Sequence, residues 1–89
     1  MQYEWEENKQ RINIAKHGID FAGISSFNWE TALEMTDNRI DYGEIRYNVI
    51  GFLKERLVVL TYTEREKSLR VITLRKATKT EERLYHDYS

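Results

Sequence analysis

The second half of the chain alternates apolar and polar residues with the period of two that is typical of β-strands. This alternation covers residues 45–53 and 69–77, and residues 57–63 between them are almost all apolar or β-branched. A short continuous run of that kind indicates a central strand that is buried on both faces. Because the turns between the three segments are short, we predict an antiparallel meander.

The first half of the chain predicts a short strand followed by two helices. Residues 3–5 alternate as an edge strand does. In the first helix, Ile12 and Ala15 share an apolar face, and Gly18 can take the left-handed conformation that ends a helix. Asp20 has the position of the N-cap of a second, short helix. The apolar residues of that second helix are Phe21, Ile24 and Phe27.

The remaining segments complete the predicted order of elements. A strand is predicted over residues 29–35, whereas residues 37–43 have the turn-forming composition of a loop. Near the end of the chain, Thr78 and Glu81 fit a capping box that begins a last helix. We therefore predict an α+β fold in a single domain of residues 1–89, with an antiparallel sheet of about four to five strands, two N-terminal helices and one C-terminal helix.

The composition is that of an ordinary globular protein, with 40% hydrophobic and 33% charged residues. No segment is apolar over the roughly 18 residues that a membrane span needs. The chain has no cysteine, which excludes disulfides and thiolate metal sites and fits a cytoplasmic location.

The net charge of −1 hides an asymmetry between the two halves of the chain. Residues 1–44 contain four Lys or Arg against nine Asp or Glu, whereas residues 45–89 contain ten against six. A basic second half is compatible with nucleic-acid binding on one face, but a mixed solvated surface fits the same counts. Charge alone therefore does not decide between these two interpretations.

Several kinds of active site find no support in the sequence. The two histidines lie at opposite ends of the chain, and neither has a carboxylate at metal-ligand spacing. The four glycines are scattered, so there is no glycine-rich phosphate loop, and no elbow motif marks a catalytic serine. We therefore expect no metal and no cofactor.

What remains is cationic chemistry on phosphate, because arginine binds phosphate oxygens with two parallel hydrogen bonds and stays charged. A metal-free ribonuclease needs cations that stabilise the phosphorane, together with groups that carry protons. His17 is the natural proton carrier at neutral pH, and Tyr85 could donate a proton or stack on a base. In a simpler interpretation, Lys16 and His17 only complement the helix dipole and the strand cations are solvated. The cations of the second half that could contact phosphate are Arg46, Arg65, Arg70, Arg75, Lys76 and Lys79.

Strand geometry separates two of these cations. Arg70 and Arg75 are an odd number of residues apart, so on a regular strand their side chains point to opposite faces. They can share a site only if the strand ends or bulges between them. Arg75 also adjoins the predicted N-terminus of the last helix, whose free amides favour anions. We therefore prefer Arg75 as the site residue and expect Arg70 to fix structure or contact a partner.

Three motifs follow one another along the chain. They are Lys16-His17-Gly18, Thr61-Tyr62-Thr63-Glu64-Arg65 and Arg75-Lys76-Ala77-Thr78. Each motif is weak alone, but their order and spacing together are specific. In these motifs the chain resembles the BrnT family of toxins from bacterial type II toxin–antitoxin systems.

The resemblance implies a RelE-like fold and an endoribonuclease that inhibits translation by cleaving RNA. It also implies a cognate antitoxin of the ribbon-helix-helix type, which neutralises the toxin and through which the complex binds operator DNA. Matched residue by residue, the resemblance gives as catalytic residues Lys16, His17, Arg65, Arg75 and Tyr85. The cations that we expect to bind RNA are Arg46, Lys76 and Lys79.

Two other classes of function stay open at this point. A non-catalytic module would hold RNA or a protein partner with the same basic half, and would show salt-sensitive RNA binding without cleavage. A structural protein would pair its exposed sheet edge and its aromatic residues with another chain.

Overall fold

The computed structural model describes residues 2–35, 39–41 and 43–88 of the protein. Within these residues, the segments predicted as the meander form three long strands whose ends lie within one residue of the predicted ones. The elements in chain order are β1 (Tyr3–Glu4), α1 (Glu7–His17), a 3₁₀ helix (Phe21–Ser26), β2 (Leu33–Glu34), β3 (Arg39–Asp41), β4 (Glu44–Leu53), β5 (Arg56–Glu64), β6 (Leu69–Lys76) and α2 (Lys79–Tyr88).

The strands pair in the order β1-β6-β5-β4-β2, and β3 pairs with a separate stretch of β4. Strands β4, β5 and β6 form the predicted antiparallel meander. Strand β1 instead runs parallel to β6, with Tyr3 opposite Leu69 and Glu4 opposite Arg70. The prediction of a wholly antiparallel sheet is therefore wrong, and the sheet is mixed. The two strands are far apart in the sequence, so no tight turn fixes their relative direction.

Strand β3 lies within the predicted loop of residues 37–43. Residues 39–41 pair with residues 44–46 of β4 in an antiparallel ladder, and Gly43 turns the chain between them with φ +78°. The loop prediction is wrong for residues 39–41, because pairing with β4 outweighs the turn-forming composition. The rest of that prediction lies partly outside the described residues, at positions 37, 38 and 42. The preceding strand, β2, is shorter than predicted, since a turn closes at residues 29–32.

The N-terminal region contains one α-helix, and the second, short helix that was predicted is a 3₁₀ helix. Helix α1 ends as predicted at Gly18, whose φ is +70°. Asp20 caps the 3₁₀ helix and accepts a 2.9 Å hydrogen bond from the amide of Ala22. That bond is the main reason why the pKa of Asp20 lies below its ordinary value. The segment stays a short 3₁₀ helix because one glycine and two serines among its six residues disfavour an α-helix.

Helix α1 packs on β6 through a polar residue. Ile12 and Ala15 are exposed, whereas Asn13 is only 4% exposed, so the predicted apolar face is wrong. Nδ2 of Asn13 donates to the carbonyls of Ile19 (2.9 Å) and Leu74 (2.7 Å). Its Oδ1 accepts from the N–H of Leu74 at 3.1 Å. The amide thus satisfies backbone groups of β6 beyond its short pairing with β1, and a buried unpaired backbone group is costly.

Each face of the sheet has its own hydrophobic cluster. We call one of them the α2 face, because Tyr85 of α2 packs there against Ile50 and Val59. The larger cluster joins the 3₁₀ helix to the opposite face and includes Phe21, Ile24, Val49, Val58, Leu60 and Leu74. Because α2 covers only one end of its face, the other end is left for polar side chains.

Candidate functional site

A β-bulge in β6 decides which of its side chains share a face. Arg70 pairs with Thr63 of β5 and Arg75 pairs with Val59, and the register shifts once between these two pairs. Since Thr63 and Val59 are separated by an even number of residues, both arginines lie on the α2 face. The expectation that Arg70 and Arg75 face opposite ways is wrong, because the bulge adds one residue, Ile72, between them.

Beyond the part that α2 covers, the α2 face is polar. One row across the sheet consists of Asn48, Thr61 and Thr73, and the Thr61 hydroxyl donates a 2.6 Å hydrogen bond to Oδ1 of Asn48. Beyond this row on the same face lie Arg70 on β6 and Arg46 on β4, and both line one cavity. This half of the face therefore offers hydroxyls and cations.

Helix α1 borders the polar half of the α2 face. Lys9, Ile12 and Lys16 occupy positions i, i+3 and i+7, so they lie on one side of the helix. Helix and sheet together form a cavity of about 260 Å³. Its lining includes Lys9, Ile12, Lys16, His17, Arg46 and Ile72.

A second cavity, of about 230 Å³, adjoins the first, and the two share Lys9, Arg46 and Ile72. We call the two cavities together the α1 groove. The second cavity contributes a mixture of charges to this groove. Its further charged residues are Arg65, Arg70, Glu6 and Glu44.

Glu44 holds two arginines of the α1 groove. Its carboxylate lies 3.3 Å from Nη2 of Arg65 and 3.8 Å from Nε of Arg46. Both pairs lie near the surface, where an ion pair adds little to stability. Their consequence is therefore geometric: the two long side chains are directed toward the groove.

Arg70 is bound by carboxylates of the neighbouring N-terminal segment. Nη2 lies 3.0 Å from Glu4 and Nη1 lies 3.6 Å from Glu6. The hydroxyl of Ser68 donates to Glu4 as well, and the hydrogen bonds from Ser68 and Arg70 hold the pKa of Glu4 below its ordinary value. These contacts tie β1 to β6, which supports a structural role for Arg70.

The α1 groove brings together four of the predicted site residues from three separate parts of the sequence. Lys16 and His17 come from the last turn of α1, Arg46 from β4 and Arg65 from the end of β5. Lys9 belongs to the groove as well and is not among the predicted site residues. Its helical spacing to Lys16 is the signal that could have found it.

Arg75 lies on the same face but is held by α2. Its two terminal nitrogens donate to the two carboxylate oxygens of Glu81 at 2.8 and 2.9 Å. This bidentate pair is the main reason why the pKa of Arg75 is raised and that of Glu81 is lowered to about 2. Glu81 also accepts from the amide of Thr78 at 2.8 Å, and its own amide donates to the Thr78 hydroxyl at 3.2 Å. The predicted capping box is confirmed, and Arg75 is joined to it.

The other predicted site residues lie near Arg75 rather than in the α1 groove. Tyr85 is only 4% exposed, and its ring packs edge-on against Phe52 at a centroid distance of 5.6 Å. Lys76 and Lys79 are exposed at the junction of β6 and α2. The structure thus places Tyr85 in the core and the two lysines on the surface, and the functional roles of all three stay predictions.

Among residues 2–35, 39–41 and 43–88, no three His, Cys, Asp or Glu side chains are grouped so that they could hold a metal ion. Within the same ranges, no helix is both long and apolar enough to cross a membrane.

The Arg75–Glu81 pair should make stability depend on pH in the acid range. Because the pKa of Glu81 is lowered to about 2, its stabilising effect is complete above the ordinary value of 4.5 and is lost as the pH falls toward 2. We expect Glu81→Gln to be less stable than the wild type by about 1 to 2 kcal/mol at neutral pH, since solvent screens part of the pair. This difference should shrink toward pH 2, and urea unfolding at several pH values would measure it.

Glu82→Gln is the matched control, since it leaves the Arg75–Glu81 pair intact. Its free energy of unfolding should follow the wild-type pH dependence. A Glu81→Gln variant whose stability stayed parallel to that of the wild type down to pH 2 would contradict the assigned pair.

Comparison with known proteins shows the family. A model described as the ribonuclease toxin BrnT of type II toxin–antitoxin systems matches residues 5–81. The match includes the whole α1 groove and the Arg75–Glu81 pair, and it ends before Tyr85. A search of curated proteins finds no match. The chain therefore belongs to the BrnT family, the ribonuclease toxins of type II toxin–antitoxin systems.

Proposed function

We propose that this toxin is a metal-independent endoribonuclease that inhibits translation by cleaving RNA and that a cognate antitoxin neutralises it. The observation that carries the proposal is the α1 groove, where His17 lies with the cations Lys16, Arg46 and Arg65. Such a groove attracts the phosphate backbone of RNA and holds a proton carrier beside it. A RelE-like fold and a cytoplasmic location belong to the same proposal.

In the proposed reaction, the 2′-oxygen of a ribose attacks the adjacent phosphorus, and the bond from phosphorus to the 5′-oxygen of the next nucleotide breaks. His17 takes the proton of the 2′-hydroxyl as general base, and an acid gives a proton to the leaving oxygen. The cations of Lys16, Arg46 and Arg65 stabilise the charge that builds up on the phosphorane. The products are a 2′,3′-cyclic phosphate and a free 5′-hydroxyl.

The residues around α2 extend this proposal beyond the groove. Arg75 lies on the same face of the sheet, and we propose that it takes part in catalysis by binding an RNA phosphate in place of Glu81, because the paired carboxylate otherwise cancels its charge. Lys76 and Lys79 are exposed beside it and are proposed to bind the RNA backbone. Tyr85 is proposed to take part in catalysis only if α2 moves, because its side chain is buried.

The antitoxin is proposed to be a ribbon-helix-helix protein. In this arrangement the antitoxin binds operator DNA, and the toxin reaches the operator only as part of the complex. A small protein of this type that co-purifies with the toxin would support the proposal.

Expression of the toxin without its antitoxin is expected to arrest growth, and the purified protein is expected to cleave RNA in the presence of EDTA. Growth curves after induction and denaturing gels of total RNA would measure these two effects. Cleavage that stops in EDTA and returns with a divalent cation would contradict metal independence. Growth arrest with intact RNA would contradict the ribonuclease itself.

A non-catalytic RNA- or protein-binding module is the second candidate function. The observation in its favour is that the arginines of the groove are paired with carboxylates, as they are in many purely structural networks. This candidate predicts that RNA binds with a strong dependence on salt and stays intact in the same gels.

A further inference from the structure

The α1 groove contains an exposed apolar side chain, that of Ile12, which phosphate binding does not explain. Ile12 lines the cavity between α1 and the sheet and yet is 54% exposed. Ile72, the extra residue of the bulge, lines the same cavity and is 6% exposed. The groove therefore has an apolar wall on the helix and an apolar floor on the sheet.

Cations surround this apolar part on the same helix face. Lys9 lies one turn before Ile12 and Lys16 lies one turn after it, and Arg46 reaches the cavity from β4. Thr73 lines the cavity as well and brings a hydroxyl that can donate and accept hydrogen bonds. The occupant that fits has an apolar surface, a polar edge and negative charge close by.

We propose that Ile12 and Ile72 form a nucleobase subsite that holds one unstacked base of the RNA. This inference rests on the proposed function and adds to it the place where a base is gripped. Proteins hold flipped or single-stranded bases between apolar side chains, while the attached phosphates bind to lysine and arginine. The cavity of about 260 Å³ is smaller than the pockets of about 300 to 1,000 Å³ that hold drug-sized ligands, so it suits one base.

The charge of the cavity favours a nucleotide over an apolar protein segment. An apolar helix or strand that docked on Ile12 would bring Lys9, Lys16 and Arg46 close to uncharged surface and would remove water from them, which is unfavourable. A nucleotide brings its own phosphate to these cations. The two isoleucines would therefore bind the base of the nucleotide, and the cations would bind its phosphate.

Ile12→Ser tests the subsite, and Ile14→Ser is its matched control. Ile14 is on the same helix and 42% exposed, but it does not line the groove. For cleavage of a labelled single-stranded RNA of mixed sequence, Ile12→Ser is expected to raise KM about fivefold to tenfold and to change kcat less than about twofold. Ile14→Ser should match the wild type in both. Thermal melts would establish that both variants fold.

Binding of an RNA strand without bases separates base contacts from phosphate contacts. Wild type and Ile12→Ser should bind an abasic strand equally, because only the phosphates remain. An equal KM for the two proteins on normal RNA would overturn the subsite while leaving the ribonuclease intact. A wild type that neither cleaves nor binds RNA would overturn the proposed function and the subsite together. A loss of antitoxin affinity in Ile12→Ser with an unchanged KM would assign the surface to a protein partner and overturn the subsite.

Discussion

Replacing His17 by alanine is expected to lower the rate of RNA cleavage by about 100-fold or more, because a positioned acid or base contributes roughly 10²- to 10⁴-fold to such reactions. His17 is the last residue of α1, is half-buried and lines the α1 groove beside Lys16 and Arg46. The loss should appear in kcat, since the imidazole carries a proton in the transition state. Single-turnover cleavage and growth after induction would measure the effect in the tube and in the cell.

His86→Ala is the matched control for this variant. His86 is the other histidine of the chain, lies on α2 and is exposed. Its replacement should leave cleavage and growth arrest at the wild-type level. If His17→Ala folded and remained fully toxic, His17 would not be the proton carrier and the site would have to be sought near Arg75.

Replacing Asn13 by alanine is expected to lower the free energy of unfolding by about 3 kcal/mol, because each buried backbone group left without a partner costs about 1 to 3 kcal/mol. Three hydrogen bonds are lost, two to the backbone of Leu74 and one to the carbonyl of Ile19. Urea unfolding followed by circular dichroism would give the difference.

Asn8→Ala makes the same chemical change on the exposed side of the same helix. It should alter stability by no more than about 0.5 kcal/mol, as surface substitutions usually do. Equal effects of Asn8→Ala and Asn13→Ala would show that the Asn13 hydrogen bonds do not matter for stability. The consequence for function is that α1, and Lys16 and His17 with it, would lose its anchor on β6.

The elements that the sequence predicts well depend on neighbouring residues. The meander is recognisable because alternation and short turns are local properties, and the capping box of Thr78 and Glu81 is confirmed for the same reason. The end of α1 at Gly18 likewise depends on one residue that tolerates a positive φ.

The elements that the sequence did not predict depend on distant contacts. Nothing in residues 3 and 4 indicates that they pair in parallel with a strand more than sixty positions later. In the sequence, Asn13 looks like an ordinary surface residue, because the backbone of Leu74 to which it hydrogen-bonds is distant in the chain. Helix propensity and hydrophobic periodicity do not contain this information. They therefore predict that apolar side chains, rather than Asn13, form the packed face of α1.

The candidate site was predictable only in part. Lys16 and His17 can be selected from their chemistry, but their proximity to Arg46 and Arg65 requires the packing of α1 on the sheet. Chemistry alone also selects Arg75, although its guanidinium is paired with Glu81. In the sequence, the feature that could have indicated the Arg75–Glu81 pair is an arginine close to a capping box.

The bulge at Ile72 means that β6 cannot be compared with another strand by counting in steps of two. A relative with the same number of residues but without the bulge would keep every cation of the motif in its sequence and still present Arg70 and Arg75 on opposite sides of the sheet. The regularity of this strand, as much as its composition, therefore determines which charges share a face.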